Sequence, residues 1–158
     1  MFNKKVFKIV LVGAAVLSAT WWGWNYWEKY QYQQIVEEMR VKAEAFEAEQ
    51  ERVRVLIEAD TYGGAMPQET LEMFIKAVEA GDYELASKYF VVEKQEEELE
   101  ILKETQRNNN IDFLLKFIRE AKIIEGYFSN NNSLYIIKKP IFISFIKYPQ
   151  GLWKINEI

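Results

Sequence analysis

The apolar residues of this chain change their spacing three times, and each spacing predicts a different element. From Ile9 to Trp27 the run IVLVGAAVLSATWWGWNYW carries no charge. At 1.5 Å per residue, a helix of about 19 residues covers about 28 Å, close to the hydrocarbon thickness of a bilayer. Lys4, Lys5 and Lys8 precede the run without an acid among them, while Trp21, Trp22, Trp24 and Trp27 crowd its far end beside Tyr26 and Tyr30. Lysines favour the cytoplasmic side and amphipathic rings favour the headgroup layer. The run therefore reads as a single-pass transmembrane helix, with the four tryptophans as interface anchor, the N-terminus inside and the rest of the chain outside. A cleaved signal peptide competes with this reading, because Val16 and Ser18, or Leu17 and Ala19, suit a small-residue cleavage site. Cleavage would leave the aromatic cluster as a greasy new terminus, which favours the uncleaved anchor.

Beyond Trp27 the pattern changes to alternating fours and threes. From Glu28 to about Ala59 there is no proline or glycine, and Ala, Glu, Gln, Lys and Arg dominate, which is strong helix composition. Tyr32, Ile35, Met39, Ala43, Phe46, Gln50, Val53 and Ile57 form a thin apolar seam. Ala43 and Gln50 are poor knobs for a coiled coil, so a single amphipathic stalk helix is expected, with a weak homo-oligomer through the seam as the alternative. DTYGGAM, Asp60 to Met66, breaks the helix with paired glycines and reads as a hinge.

The third regime begins at Pro67. In PQETLEMFIKAVEAGDYELASKYF, Pro67 suits a first helical turn, Glu69 and Glu72 lie near the positive helix end, and Leu71, Phe74, Ile75 and Val78 share one face. Gly81 ends that helix, and Asp82 caps a second with the face Leu85, Ala86, Tyr89 and Phe90. Further helices are predicted over Glu93 to Thr105 and Ile111 to Ala121, separated by Asn108 to Asn110. After Ala121 the period drops to two, and KIIEGYFS, SLYIIKK, IFISFIKY and LWKINEI predict four strands. Turns are expected at Asn130 to Asn132 and at Pro149-Gln150-Gly151, with Pro140 separating the middle strands. Helices followed by a meander predict an α+β fold, with helices packed on a curved antiparallel sheet. The expected organisation is a cytoplasmic tail over 1–8, a transmembrane helix over 9–27, a stalk helix over 28–60 and an extracytoplasmic domain over 61–158.

Composition removes several chemistries. A net charge of −4 and a pI near 5.1 argue against a phosphate-binding surface, so no nucleic-acid partner is expected. The chain has no cysteine and no histidine, which removes disulfides, thiol nucleophiles, the commonest general base and the commonest metal ligand. Glu93, Glu96, Glu97, Glu98 and Glu100 stand in helical composition with no glycine for a calcium-loop turn, and read as a solvated helix face. No metal and no cofactor are expected.

The stretch PQETLEMFIKAVEAGDYELASKYF, together with GLWKINEI, resembles the nuclear transport factor 2-like (cystatin-like roll) superfamily over about Pro67 to Ile158. More narrowly, it is similar to uncharacterised bacterial envelope lipoproteins and membrane-anchored proteins of that fold. Two departures stand out: Met66 replaces the usual capping Ser or Thr, and the strand region is short for a full roll. The resemblance implies a cone between helices and sheet. In enzymes of the superfamily a desolvated Asp, often with His or Tyr, moves a proton inside that cone. The three aspartates here all have local explanations: Asp60 ends the stalk, Asp82 caps a helix and Asp112 lies in a first helical turn. Glu125, in a predicted strand, would be a perturbed carboxylate only if it faced inward.

No catalytic residue is expected. Phe74, Tyr89, Phe117, Tyr127 and Trp153, with Phe90, would line a pocket if the cone were open, although aromatics at these spacings more often form core. The function expected is a non-catalytic, membrane-anchored, extracytoplasmic protein-binding or scaffold module of the bacterial envelope. It would dock an envelope protein, as resembling domains of type IV secretion machinery do. The alternative is a small-ligand-binding or sensing domain using the cone, and an enzyme with a carboxylate-tyrosine site comes third.

Overall fold

A computed structural model describes residues 4–123, 126–129 and 131–158, with side chains described from residue 20 onward except at 25, 28, 29, 122 and 123. The chain divides into two compact units, Met1–Gln50 and Glu51–Ile158. Helix α1, Lys4–Ala59, forms the first unit and contributes its last turns to the second. Among the described residues no helix is long and apolar enough to cross a membrane. Most of the uncharged run from Ile9 has its side chains outside the described residues.

The second unit is α+β. Four helices follow α1: α2 Pro67–Glu79, α3 Tyr83–Ser87, α4 Gln95–Arg107 and α5 Ile111–Ile123. A four-stranded sheet of order β1-β2-β3-β4 comes next, with β1 Tyr127–Ser129, β2 Leu134–Ile137, β3 Ile143–Lys147 and β4 Trp153–Glu157, every neighbouring pair antiparallel. The register sets Phe128 opposite Tyr135, Tyr135 opposite Phe145 and Phe145 opposite Ile155, so one row of apolar side chains crosses all four strands. Leu71, Phe74 and Val78 of α2 and Leu115, Ile118 and Ala121 of α5 join Tyr135, Phe145 and Ile155 of that row in a single core, while Phe128 on the edge strand stays exposed. Each such side chain withdrawn from water contributes roughly 1.5–3 kcal/mol.

Capping explains where α2 begins and ends. Asp82 N–H bonds Ala77 O and Gly81 N–H bonds Val78 O, and Gly81 takes φ +74°, which a glycine adopts without strain. Asp82 then accepts from Leu85 N–H and starts α3. At the other end the missing Ser or Thr at Met66 is offset from within the helix: Glu69 Oε2 accepts from Ala65 N–H at 2.9 Å and Met66 N–H at 3.2 Å.

Two expectations change here. The second helix is shorter than its apolar spacing suggested, because Tyr89 to Val91 leave it to pair with β4. Ile155 N–H bonds Tyr89 O, and Val91 N–H bonds Ile155 O. The segment from Asp60 to Met66 is not a free hinge either. Trp153 N–H bonds Gly64 O, Gly64 N–H bonds Thr70 Oγ1, and Thr70 Oγ1 donates to Trp153 O. The paired glycines serve close approach: a Cβ on Gly63 would lie 2.5 Å from Trp153 O, and one on Gly64 would lie 2.5 Å from Glu69 Cβ. The helix itself breaks where the sequence places the break, α1 ending at Ala59, while the two compact units divide at Gln50/Glu51.

Candidate functional site

Two features of the second unit have chemistry to offer: a buried charged cluster and an open apolar cleft. The cluster is built on the far side of β4. Trp153 and Ile155 face the core, so alternation sends Lys154 the other way, where a solvent-facing lysine would be expected. Instead Lys154 is fully buried, because the segment after α1 and the end of α3 cover that face. Its ammonium donates to Asp60 Oδ2 at 2.7 Å, to Tyr62 O at 3.1 Å and to Lys88 O, which uses all three of its protons. Gln95 Nε2 also reaches Asp60 Oδ2, and Gln150 Nε2 donates to Ile57 O and Asp60 O. Burial holds the Lys154 ammonium below its ordinary value, with Asp60 opposing the shift. The cluster saturates its own donors and acceptors, and it fastens the end of α1 to the sheet.

Tyr148 closes one side of this cluster. Its hydroxyl accepts from Val92 N–H at 2.9 Å, and its ring lies 5.8 Å from Lys154 Nζ. Burial pushes the hydroxyl up to about 12; the Val92 hydrogen bond opposes the rise, and the Glu93 and Asp60 charges add to it. A folded-state value above the unfolded one of 10.0 contributes stability that is complete below pH 10 and lost as pH climbs through about 12. Lys154 works in the opposite direction, because its lowered value makes the unfolded chain the better proton binder up to pH 10.5. Wild type should therefore lose about 1–2 kcal/mol more than Tyr148→Phe between pH 10 and pH 12, once solvent screening is allowed for. Urea titrations at the two pH values check this, and equal losses would assign the alkaline limb to other groups.

The cleft lies between α5, the C-terminal end of α4, the β2–β3 connection and the end of β4. Phe113, Leu114, Phe117, Ile141, Phe142 and Ile158 give it apolar walls, Thr105, Asn110 and Glu157 a polar margin, and its volume is about 680 Å³. Phe113 and Phe117 meet edge to face at 4.6 Å. Phe113 is 65% exposed and Phe142 44%, so two large apolar rings of one cleft face water. A second, polar groove of about 500 Å³ runs from Glu79 to Arg119, and these two groups pair with each other at 2.6 Å.

The residues expected to line a pocket are dispersed. Phe74, Tyr89, Phe90 and Trp153 are buried core, with Phe74 and Phe90 edge to face at 5.5 Å and Tyr89 against Tyr62. Tyr127 is exposed on β1 under Lys138, and of the named set Phe117 alone belongs to the cleft. Trp21, Trp22, Trp24 and Trp27 are exposed on α1. Glu93, Glu96, Glu97 and Glu100 are exposed, whereas Glu98 is half-buried and its carboxyl is raised by that burial. No group of three or more potential ligands among the described residues is placed to hold a metal ion. Glu125 lies outside the described residues.

Sequence reasoning missed the cleft, although a signal was present. In IDFLLKFIREA the apolar positions 111, 113, 114, 115, 117 and 118 are too many for one buried stripe. Leu115 and Ile118 are buried, which leaves Phe113 outside. No family model, curated protein or solved structure matches the chain.

Proposed function

We propose that the chain is a non-catalytic, single-pass membrane-anchored module of the bacterial cell envelope, whose extracytoplasmic unit, a short nuclear transport factor 2-like roll, binds an apolar segment of another envelope protein in the cleft of Phe113, Phe117 and Phe142. The observation that carries the reading is the contrast between interior and surface. The space between helices and sheet is occupied by Phe74, Phe90, Phe145 and Ile155, and the buried cluster at Lys154 is internally paired. Aromatic rings are left exposed on the cleft. Such a distribution suits recognition by burial of apolar surface more than proton transfer in an enclosed site. The lysine-flanked uncharged run and the exposed tryptophans support the anchor and its orientation.

A photo-crosslinking side chain at Phe113 in the full chain, activated in native membranes, should capture a discrete envelope protein, and the same group at Glu84 of α3 should not. In those membranes a cysteine at Asn131 should react with an impermeant thiol reagent while one at Asn3 stays protected. Equal capture from both crosslinking positions would remove the cleft from the proposal, and reversed labelling would remove the orientation. The cleft volume also suits a small apolar ligand, since ligand pockets span about 300–1,000 Å³. A stoichiometric small molecule that copurifies with the chain and is lost in Phe117→Ala would favour that second reading.

A further inference from the structure

We propose that α1 pairs with α1 of a second copy of this chain in a parallel, in-register two-stranded coiled coil running from Tyr32 to Gln50. Tyr32, Ile35, Met39 and Phe46 lie on one face of α1, and all four are 50–68% exposed. Glu37, Glu38, Arg40, Lys42 and Glu44, off that face, are knitted by ion pairs three and four residues apart. Such pairs keep a lone helix soluble, but they leave the stripe uncovered. The stripe ends at Gln50, because Val53 and Ile57 are half-buried within the second unit.

Charge selects a second copy as the occupant and a parallel arrangement as the geometry. With Ala43 and Gln50 at a and Phe46 at d, Lys42 stands at a flanking g position and Glu47 at a flanking e position. In a parallel dimer each g residue faces the e residue five positions later on the other helix. Lys42 then meets Glu47, an attractive pair that occurs twice by symmetry. Lys42 bonds Glu38 within the single helix, but this contact is exposed and is exchanged at little cost. Gln50 gives the second argument. In a parallel register its amide faces its own copy and can both donate and accept, whereas an antiparallel register would set it against an apolar d residue such as Phe46.

Because the chain has no cysteine, disulfide trapping of the full chain in detergent micelles or membranes is unambiguous. Ala43→Cys, on the stripe, should form a covalent dimer upon mild oxidation at least tenfold faster than Ala48→Cys on the opposite side of the helix. Tyr32→Cys and Gln50→Cys should each cross-link to their own kind, which requires the parallel register. Lys42→Glu or Glu47→Lys alone should weaken dimerisation about fivefold, and the pair together should restore it. Equal trapping at positions 43 and 48, a monomer at micromolar concentration, trapping at 43 but not at 32 and 50, or failure of the double variant to recover would each overturn the proposal.

Discussion

Asp60→Ala should cost roughly 3–5 kcal/mol of folding stability, as much as the loss of a large core side chain, although Asp60 follows a helix end and precedes two glycines. The expectation rests on what the substitution leaves behind. Lys154 is 0% exposed, and its ammonium has Asp60 as its only anionic partner among the described residues; Tyr62 O and Lys88 O supply dipoles but no charge. Without the carboxylate, the lysine must stay charged without compensation, give up its proton, or admit water by displacing the 60–62 segment. Lys154→Met should cost less than Asp60→Ala, because a methionine fills the space and Asp60 keeps a hydrogen bond from Gln95 at 3.3 Å. The double variant Asp60→Leu/Lys154→Met should recover most of the stability, since replacing a buried pair by apolar groups of similar volume is often neutral. Hydrogen exchange at the amides of Trp153 and Ile155, which bond to Gly64 O and Tyr89 O, reports these differences locally. A cost below about 1 kcal/mol for Asp60→Ala would mean that water already reaches the ammonium.

The helices were readable in the sequence because their ends carry their own instructions. Pro67, Gly81 and Asp82 act locally, and the observed α2, Pro67–Glu79, follows from them. The strands were readable as alternation, and their order followed because three short connections allow little besides a meander. Lys154 was unreadable for the same reason. Within LWKINEI alternation assigns it to a polar face, and whether that face meets water depends on residues more than 60 positions away in the chain, Asp60 to Tyr62 and Lys88. The glycines of DTYGGAM were legible as a break but not as a seam, since flexibility and close approach require the same residue. The cleft depended on which of two apolar helix faces the sheet would cover, a choice that the helix sequence alone leaves open.

Phe74→Ala should remove roughly 3–5 kcal/mol and bring the second unit near its unfolding threshold, because domains of this size have only about 5–15 kcal/mol to lose. Phe74 is 1% exposed, lies at the centre of the α2 face and meets Phe90 edge to face at 5.5 Å, so truncation leaves a cavity and removes an aromatic pair together. Phe90 in turn stands next to the residues that hydrogen-bond β4, so loosening it also loosens the pairing of Tyr89 and Val91 with Ile155. Phe74→Leu keeps most of the volume and should cost no more than about 1.5 kcal/mol. Thermal unfolding followed by near-ultraviolet circular dichroism distinguishes the two. The functional consequence separates scaffold from site: Phe74→Ala should lose the crosslinked partner only as the fold is lost, and cooling should restore both. Phe113→Asp, on a ring that is already exposed, should leave the unfolding transition within about 0.5 kcal/mol of wild type while abolishing capture. If Phe113→Asp still captures the partner at the wild-type level, the binding surface lies elsewhere on the unit, and the exposed ring of Phe113 on α5 requires another explanation.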